Sequence, residues 1–391
     1  MEFSQVFLNN KLFYDTALTF DKLCPEHMAN LEPIQTGVQY LPNGDAAFRL
    51  YLPNAKKVEL GFFNAGTGMT MLPLTKDVEG YFTGVLPYDP KESGPRTISV
   101  FVDETVLLYP YLPIYWTSNR PCNYIESPDP EGGFYMVQNV PHGAMCREII
   151  PVESTGAPER FMVYTPPGYL KTDREYPVLY LINGGTDNEI CWDFTGRIAY
   201  IMDNLIAEGK CKPFLIVMCN SMLRKNGEIP FFYHGVATVD DTVERMLLDD
   251  CIPYIERNYR VKTDKWNRAI AGVSMGAYIT CDIGLAHPEV FGNMATFTAC
   301  MTHETITMDY ERPFPKALAN AKMFEENYRL FFRSTTPLED HFNYFEADDQ
   351  ICAEAGIDKL PCYHRTVYSA TTSKWNSWRK GVRDFATLLF R

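Results

Sequence analysis

This chain has no apolar run long enough to span a bilayer, and its opening residues, Met1-Glu2-Phe3-Ser4-Gln5, lack the basic start and apolar core of a secretory leader. The expectation is a cytoplasmic protein with no membrane partner. No C-x-x-C pair occurs among the 11 cysteines, and their number is odd. Cys219, Cys251, Cys281 and Cys300 sit in apolar or helical surroundings and read as reduced core thiols. There is no run of like charge, no low-complexity tract and no repeat at solenoid period. Basic residues are outnumbered 36 to 49, for a formal net charge of −13, and this argues against nucleic acid or an anionic membrane, since both need a basic face. A nucleotide loop is absent, because Gly184-Gly185 follows a strand without the further glycine or lysine such a site needs. The acidic pairs Asp249-Asp250 and Asp348-Asp349 lack metal-ligand spacing and read as helix-surface charge. No metal and no cofactor is expected.

What is present is an ordinary globular composition, 46% apolar and 22% charged, in 391 residues, enough for two domains. Its most informative stretch is Gly272-Val273-Ser274-Met275-Gly276. The apolar run Arg268-Ala269-Ile270-Ala271 ahead of it reads as a buried strand. Behind it Ala277, Ile279, Ile283, Leu285 and Ala286 keep helical spacing until Pro288. A strand, G-x-S-x-G and a helix form the nucleophile-elbow context of α/β-hydrolases, in which the flanking glycines make room around a strained serine.

Two domains are expected. Residues 1–36 read as an N-terminal extension. From residue 37 to 125 the pattern has period two, with strands at Phe48–Leu52, Val58–Phe62 and Thr97–Val102 and turns at Asn43-Gly44 and Glu79-Gly80, which predicts a small immunoglobulin-like β-sandwich. Residues 126–143 are rich in Pro and Gly and read as a linker. Residues 144–391 alternate strands and helices, which predicts a mostly parallel sheet covered on both faces. Its candidate strands are Phe161–Tyr164, Val178–Ile182, Phe214–Met218, Arg268–Ala271, Met294–Thr298, Leu330–Arg333 and Thr366–Tyr368. Trp375, Trp378, Val382, Phe385 and Leu389 form one stripe on a last helix that should dock on the sheet.

Four segments together resemble the esterase-D/feruloyl-esterase-like α/β-hydrolases: Arg160 to Tyr169, Tyr176 to Leu181, Ile201 to Lys210, and the elbow. Val140-Pro141-His142-Gly143 is similar to the motif that opens the hydrolase domain in members carrying an N-terminal early-set (immunoglobulin-like) domain. The resemblance implies a serine carboxylic-ester hydrolase that cleaves acetyl or hydroxycinnamoyl groups from acylated carbohydrate, or small aryl esters. It leaves a homo-oligomer open.

A serine hydroxyl needs a base, and the base needs an orienting acid. The resemblance assigns Ser274 as nucleophile and Asp340 as acid, with Glu339 as a neighbouring alternative. The N–H groups of Met275 and of Gly184 or Gly185 would hold the oxyanion. Asn183, Glu189, Trp192 and Trp375 are expected to contact substrate, Asn183 standing where the family carries a histidine before its glycine pair. The base is missing. The Trp375-x-x-Trp378-Arg379 register puts Ser373 at the family's histidine position, and a serine hydroxyl is far too weak a base. His303, after a candidate strand, is the substitute base considered, and His341, His364, His142 and His287 read as structural. Two classes stay open: an ester hydrolase with a rewired base, or a catalytically impaired relative that binds a carbohydrate or small ester in the old pocket.

Overall fold

The computed structural model describes residues 37–64, 68–117, 120–223, 237–239, 241–298, 306–308, 318, 320–339, 342–368 and 374–391. The chain divides into two compact units, Met1–Val137 with Ala370–Asn376, and Gln138–Ser369 with Ser377–Arg391.

The first unit is β-rich. One antiparallel sheet runs in the order Gly37–Tyr40, Ala46–Tyr51, Tyr81–Leu86, Thr75–Lys76. The other runs Gly68–Pro73, Val58–Asn64, Gly94–Val102, Arg120–Ser127, Ile114–Thr117, with Thr105–Leu107 also paired to Gly94–Val102. Period two in the sequence becomes alternating burial in Ala46–Tyr51, whereas Gly68–Pro73 stays largely exposed. Phe48, Leu50 and Phe82 of the first sheet share a core with Leu60, Phe62, Ile98 and Val100 of the second. Phe48 and Phe62 meet across it with ring centroids 5.8 Å apart.

The second unit is built on eight strands: β1 (Ala144–Val152), β2 (Ala157–Thr165), β3 (Val178–Ile182), β4 (Leu215–Cys219), β5 (Arg268–Val273), β6 (Asn293–Phe297), β7 (Leu330–Thr335) and β8 (Tyr363–Val367). They are ordered β1-β2-β4-β3-β5-β6-β7-β8. The β1–β2 and β2–β4 pairs are antiparallel, and all the others are parallel. The central strands are buried along their whole length, so Val178-Leu179-Tyr180-Leu181-Ile182 reads as one unbroken apolar run. Trp378, Val382, Phe385 and Leu389 of the last helix, Lys374–Leu388 and the residue after it, are buried as expected. Phe385 packs on Phe297 of β6 and Phe332 of β7. Gly381 permits that approach, because a Cβ there would lie 2.6 Å from the Phe297 ring.

Strand β8 starts three residues before the expected Thr366 and ends at Val367, and two further features differ from the sequence expectation. β1 was not foreseen: it is an edge strand with alternating exposure, interrupted by Arg147, Glu148 and Pro151, and so lacks an apolar signature. The acidic pair Asp348-Asp349 is not surface charge. Asp348 is fully buried and pairs with the equally buried Arg333 of β7, while Asp349 joins Arg333 to Arg365 of β8. This cluster fastens the helix Phe342–Glu354 to the sheet. Cys219, Cys251 and Cys281 are buried free thiols, as read from their surroundings; Cys300 lies outside the described residues.

His287 caps the far end of the helix Met275–Ala286, with Nε2 2.8 Å from Glu244 and Nδ1 3.2 Å from Glu289. Burial disfavours its charge, but the two carboxylates outweigh that, and its pKa lies above the ordinary 6.5. A raised histidine stabilises the fold fully below its unfolded pKa and loses that contribution as pH rises through the folded value. His287→Asn is therefore expected to lower the urea midpoint at pH 6 by an amount equivalent to ~1 kcal/mol. The gap from wild type should shrink by pH 9. An equal gap at both pH values would refute the linkage.

Candidate active site

Strand β5 delivers Ser274 to the C-terminal edge of the sheet, and the helix Met275–Ala286 starts on the next residue. Ser274 has φ 50° and ψ −124°, a conformation non-glycine residues rarely adopt, and holding it costs on the order of 1–3 kcal/mol. From Arg268 to Leu285 it is the one residue not buried. The two glycines of the motif are explained by contact. A Cβ on Gly272 would lie 2.1 Å from the Gly276 carbonyl oxygen, and one on Gly276 would lie 2.4 Å from that of Asn183. Both atoms are backbone and cannot move aside, so the tight elbow needs glycine at each position.

The segment after β3 lies against this serine. A Cβ on Gly184 would come within 3.3 Å of Ser274 Cβ. Thr186 takes φ 68°, and the turn closes as Asp187 N–H donates to the Gly184 carbonyl at 3.3 Å. Ser274 thus lies between the first residue of its helix, Met275, and Gly184. The positive end of the helix dipole lies beside it.

The four side chains expected to contact substrate are buried, and what three of them are seen to touch is protein. Asn183 is 1% exposed and turns inward to Gly184 and Ser221. Glu189 pairs with Arg160 of β2. Trp192 meets Phe297 edge-on, and Trp375 is 6% exposed. Asp340, His303 and Ser373 lie outside the described residues, as does His341. Glu339 is buried in the loop after β7, where its N–H donates to Thr336 and its carbonyl accepts from Phe342 N–H.

Three histidines are described, and none stands at the elbow's edge of the sheet. His142 bonds through Nδ1 to Asp203 at 2.9 Å, and Asp203 also accepts from Tyr164 OH and Gly143 N–H. Tyr164 pairs with Ile216 near the start of β4, which puts this group at the opposite edge. His364 pairs with Phe332 near the start of β8. His287 sits at the far end of the elbow helix. Among the described residues no cluster of His, Cys, Asp and Glu could hold a metal ion, and no helix is long and apolar enough to cross a membrane.

Sequence reasoning missed Ser221 and Arg333. The one local hint for Ser221 is the switch from the apolar run of β4 to Asn220-Ser221 at its C-terminal end.

The elbow, the strand order and the sequence agree in their assignment. The profile of the family described as "Putative esterase" matches residues 152–379. The chain belongs to that family. An endo-1,4-beta-xylanase/feruloyl esterase of Xylanibacter ruminicola is 38% identical over 254 residues, 64% of this chain and 34% of that protein. An esterase of Mycobacterium tuberculosis is 33% identical over 120 residues, 30% of this chain and 24% of that protein. The chain thus spans about a third or less of the length of these relatives. Among solved structures, a ferulic acid esterase from Anaeromyces mucronatus in complex with ferulic acid superposes with TM-score 0.52 at 17% identity, covering 67% of this chain and 96% of that one. The enterobactin esterase of Shigella flexneri superposes with TM-score 0.61 at 13% identity, covering 90% of this chain and 94% of that one. At these identities the likeness is one of fold, the α/β-hydrolase fold.

Proposed function

We propose that this chain is a carboxylic-ester hydrolase acting through Ser274 on small acyl or aryl esters, of the feruloyl or acetyl type carried on sugars. The observation that supports it most is the elbow itself: a strained, half-buried serine between buried neighbours, at the start of a helix and against Gly184. Ser274 Oγ attacks the acyl carbon, its proton passes to a base, and the oxyanion is held by Met275 N–H and a Gly184-Gly185 N–H. The alcohol leaves with a proton, and water then releases the acid from Ser274. Asp340 orients the base. The substrate class is drawn from the feruloyl esterase activity in the name of the Xylanibacter relative and from the ferulic acid in the Anaeromyces complex. The N-terminal β-rich unit is read as an early-set, immunoglobulin-like domain.

A second reading rests on Ser373. With serine at the position of the family's histidine, the chain would be a binding protein that keeps the ester pocket but turns over slowly. His303 is the substitute base in the first reading; it precedes the short strand Ile306–Met308, which pairs in parallel with Ala237–Val239.

A fluorophosphonate probe at neutral pH is expected to label the wild type on Ser274 and to leave Ser274→Ala unlabelled. Methyl ferulate and 4-nitrophenyl acetate are the substrates to assay beside it. A wild type that takes no label under conditions that label an active esterase would refute the nucleophile.

A further inference from the structure

We infer that Asn183 and Ser221 are positioning residues that fix the direction of the Gly184–Gly185 peptide and so aim the Gly185 N–H at the oxyanion formed on Ser274. The inference rests on the ester-hydrolase reading for its kinetic consequence, but its structural content stands on hydrogen bonds and strand order alone.

Four interactions form a closed set. Asn183 Nδ2 donates to the Gly184 carbonyl at 2.7 Å and to Ser221 Oγ at 3.2 Å. Ser221 N–H donates to Asn183 Oδ1 at 3.1 Å, and Ser221 Oγ donates to the Gly184 carbonyl at 3.3 Å. The set leaves no freedom in the amide's orientation. A backbone N–H can meet only the Asn183 oxygen, and a backbone carbonyl can meet only its NH₂ group. Both side chains are at most 1% exposed, so these are not bonds that water would replace.

The consequence follows from peptide geometry. In a trans peptide the carbonyl of residue 184 and the N–H of residue 185 point in opposite directions, and no described peptide is cis. The order β4-β3-β5 puts Ser221, after β4, on one side of Gly184-Gly185 and Ser274, after β5, on the other. Drawing the carbonyl toward Ser221 therefore turns the N–H toward Ser274. Among the described residues Gly185 N–H donates to no backbone acceptor. Without the two side chains the Gly184 carbonyl would keep only the long 3.3 Å bond from Asp187 N–H, and the glycine pair has no Cβ to bias its direction further. The reverse would present a carbonyl dipole to a developing negative charge. An oxyanion donor is worth about 10²–10³ in kcat, so the direction of one peptide has a large effect. The assignment also gives Asn183, which replaces the family's histidine, a role inside the loop and not against the substrate.

Asn183→Asp is the sharp test. It is isosteric and still accepts from Ser221 N–H, but an ionised carboxylate cannot donate to the Gly184 carbonyl. Asn183→Ala and Ser221→Ala accompany it in case a buried carboxylate prevents folding, with thermal melts to show that each variant is folded. Two readouts are taken: steady-state kinetics on 4-nitrophenyl acetate, and a crystal structure showing the direction of the Gly184–Gly185 peptide. The expected result is a reversed or mixed peptide, kcat lower by about 10²-fold, and KM within about threefold of wild type. A peptide that keeps its direction in folded Asn183→Asp and Asn183→Ala overturns the inference. So does a reversed peptide with unchanged kcat in an active enzyme. Should the wild type neither hydrolyse esters nor take a fluorophosphonate label, the ester-hydrolase reading fails. The peptide direction in the variant crystals then decides the inference by itself, reversal upholding it and retention overturning it.

Discussion

Ser373→His is expected to raise kcat/KM on an activated aryl acetate by about 10³-fold or more over wild type, because the loss of the base from a serine triad costs on the order of 10⁶ in turnover. The elbow is already in place, with Ser274 half-buried among fully buried neighbours and Met275 N–H at the start of its helix. What this chain lacks beside the pattern it resembles is the histidine that takes a proton near neutral pH, and a hydroxyl at position 373 cannot do so. An imidazole there would also bring a pH dependence. The variant's rate should rise with pH through the range where histidine loses its proton, and the wild type should show no such limb. Ser274→Ala in the Ser373→His background must abolish the gain, since the new base acts only through that nucleophile. One outcome overturns the prediction in an instructive way. If the wild type already turns over at ordinary rates and its pH limb disappears in His303→Ala, the base has been relocated to His303. If neither protein hydrolyses any ester, the second reading, a binding protein, is favoured.

The elbow could be read in the sequence because its strand, its G-x-S-x-G motif and its helix are contiguous in the chain, although one glycine is required by a distant strand. A buried strand, two glycines and a helix follow one another in the chain, and the steric collisions that require glycine involve Gly276 and the end of the neighbouring β3. The central strands were legible for the same reason. Burial on both faces leaves no alternation, so Val178–Ile182 and Arg268–Val273 stand out as apolar runs. Strand β1 was not legible, because an edge strand with one wet face carries arginine, glutamate and proline at no cost to its pairing. The hydrogen bonds around the Gly184 carbonyl were invisible for another reason. Asn183 and Ser221 are 38 residues apart and meet only when β3 and β4 pair. Asn183 looked like a substrate contact because it stands beside the glycine pair, and only the fold shows that it faces the other way. Asp348 misled in the same manner, since an acidic pair with no partner nearby in sequence reads as solvated until β7 brings Arg333 beneath it.

Arg333→Met is expected to destabilise the protein by about 3–5 kcal/mol, because it leaves Asp348 buried with its opposing charge removed. Arg333 and Asp348 are both fully buried, with Nη2 and Oδ2 3.4 Å apart. Arg333 also donates to Asp349 at 2.6 Å, to Tyr363 OH at 2.9 Å and to the Phe345 carbonyl at 3.1 Å. Its guanidinium lies 4.2 Å from the centroid of the Phe345 ring. A methionine can fill the stem's volume and satisfies none of these acceptors. The larger cost is the desolvated carboxylate, which gains nothing from burial alone. Arg333→Met with Asp348→Leu should therefore recover most of the loss, since replacing both charges of a buried pair with apolar groups is often neutral. The coupling between the two sites, measured by a double-mutant cycle in guanidinium unfolding, should exceed about 2 kcal/mol. The effect should also reach the proposed chemistry. Arg333 sits just ahead of the loop whose sequence carries Glu339 and Asp340, and Asp348 lies on the helix just after it. Releasing that helix frees both ends of the acid loop, so the single variant should lose esterase activity at temperatures where it remains folded, and the double variant should regain part of it. A folded Arg333→Met within about 1 kcal/mol of wild type would show that Asp348 finds another partner or takes up a proton, and that the cluster does not hold the loop.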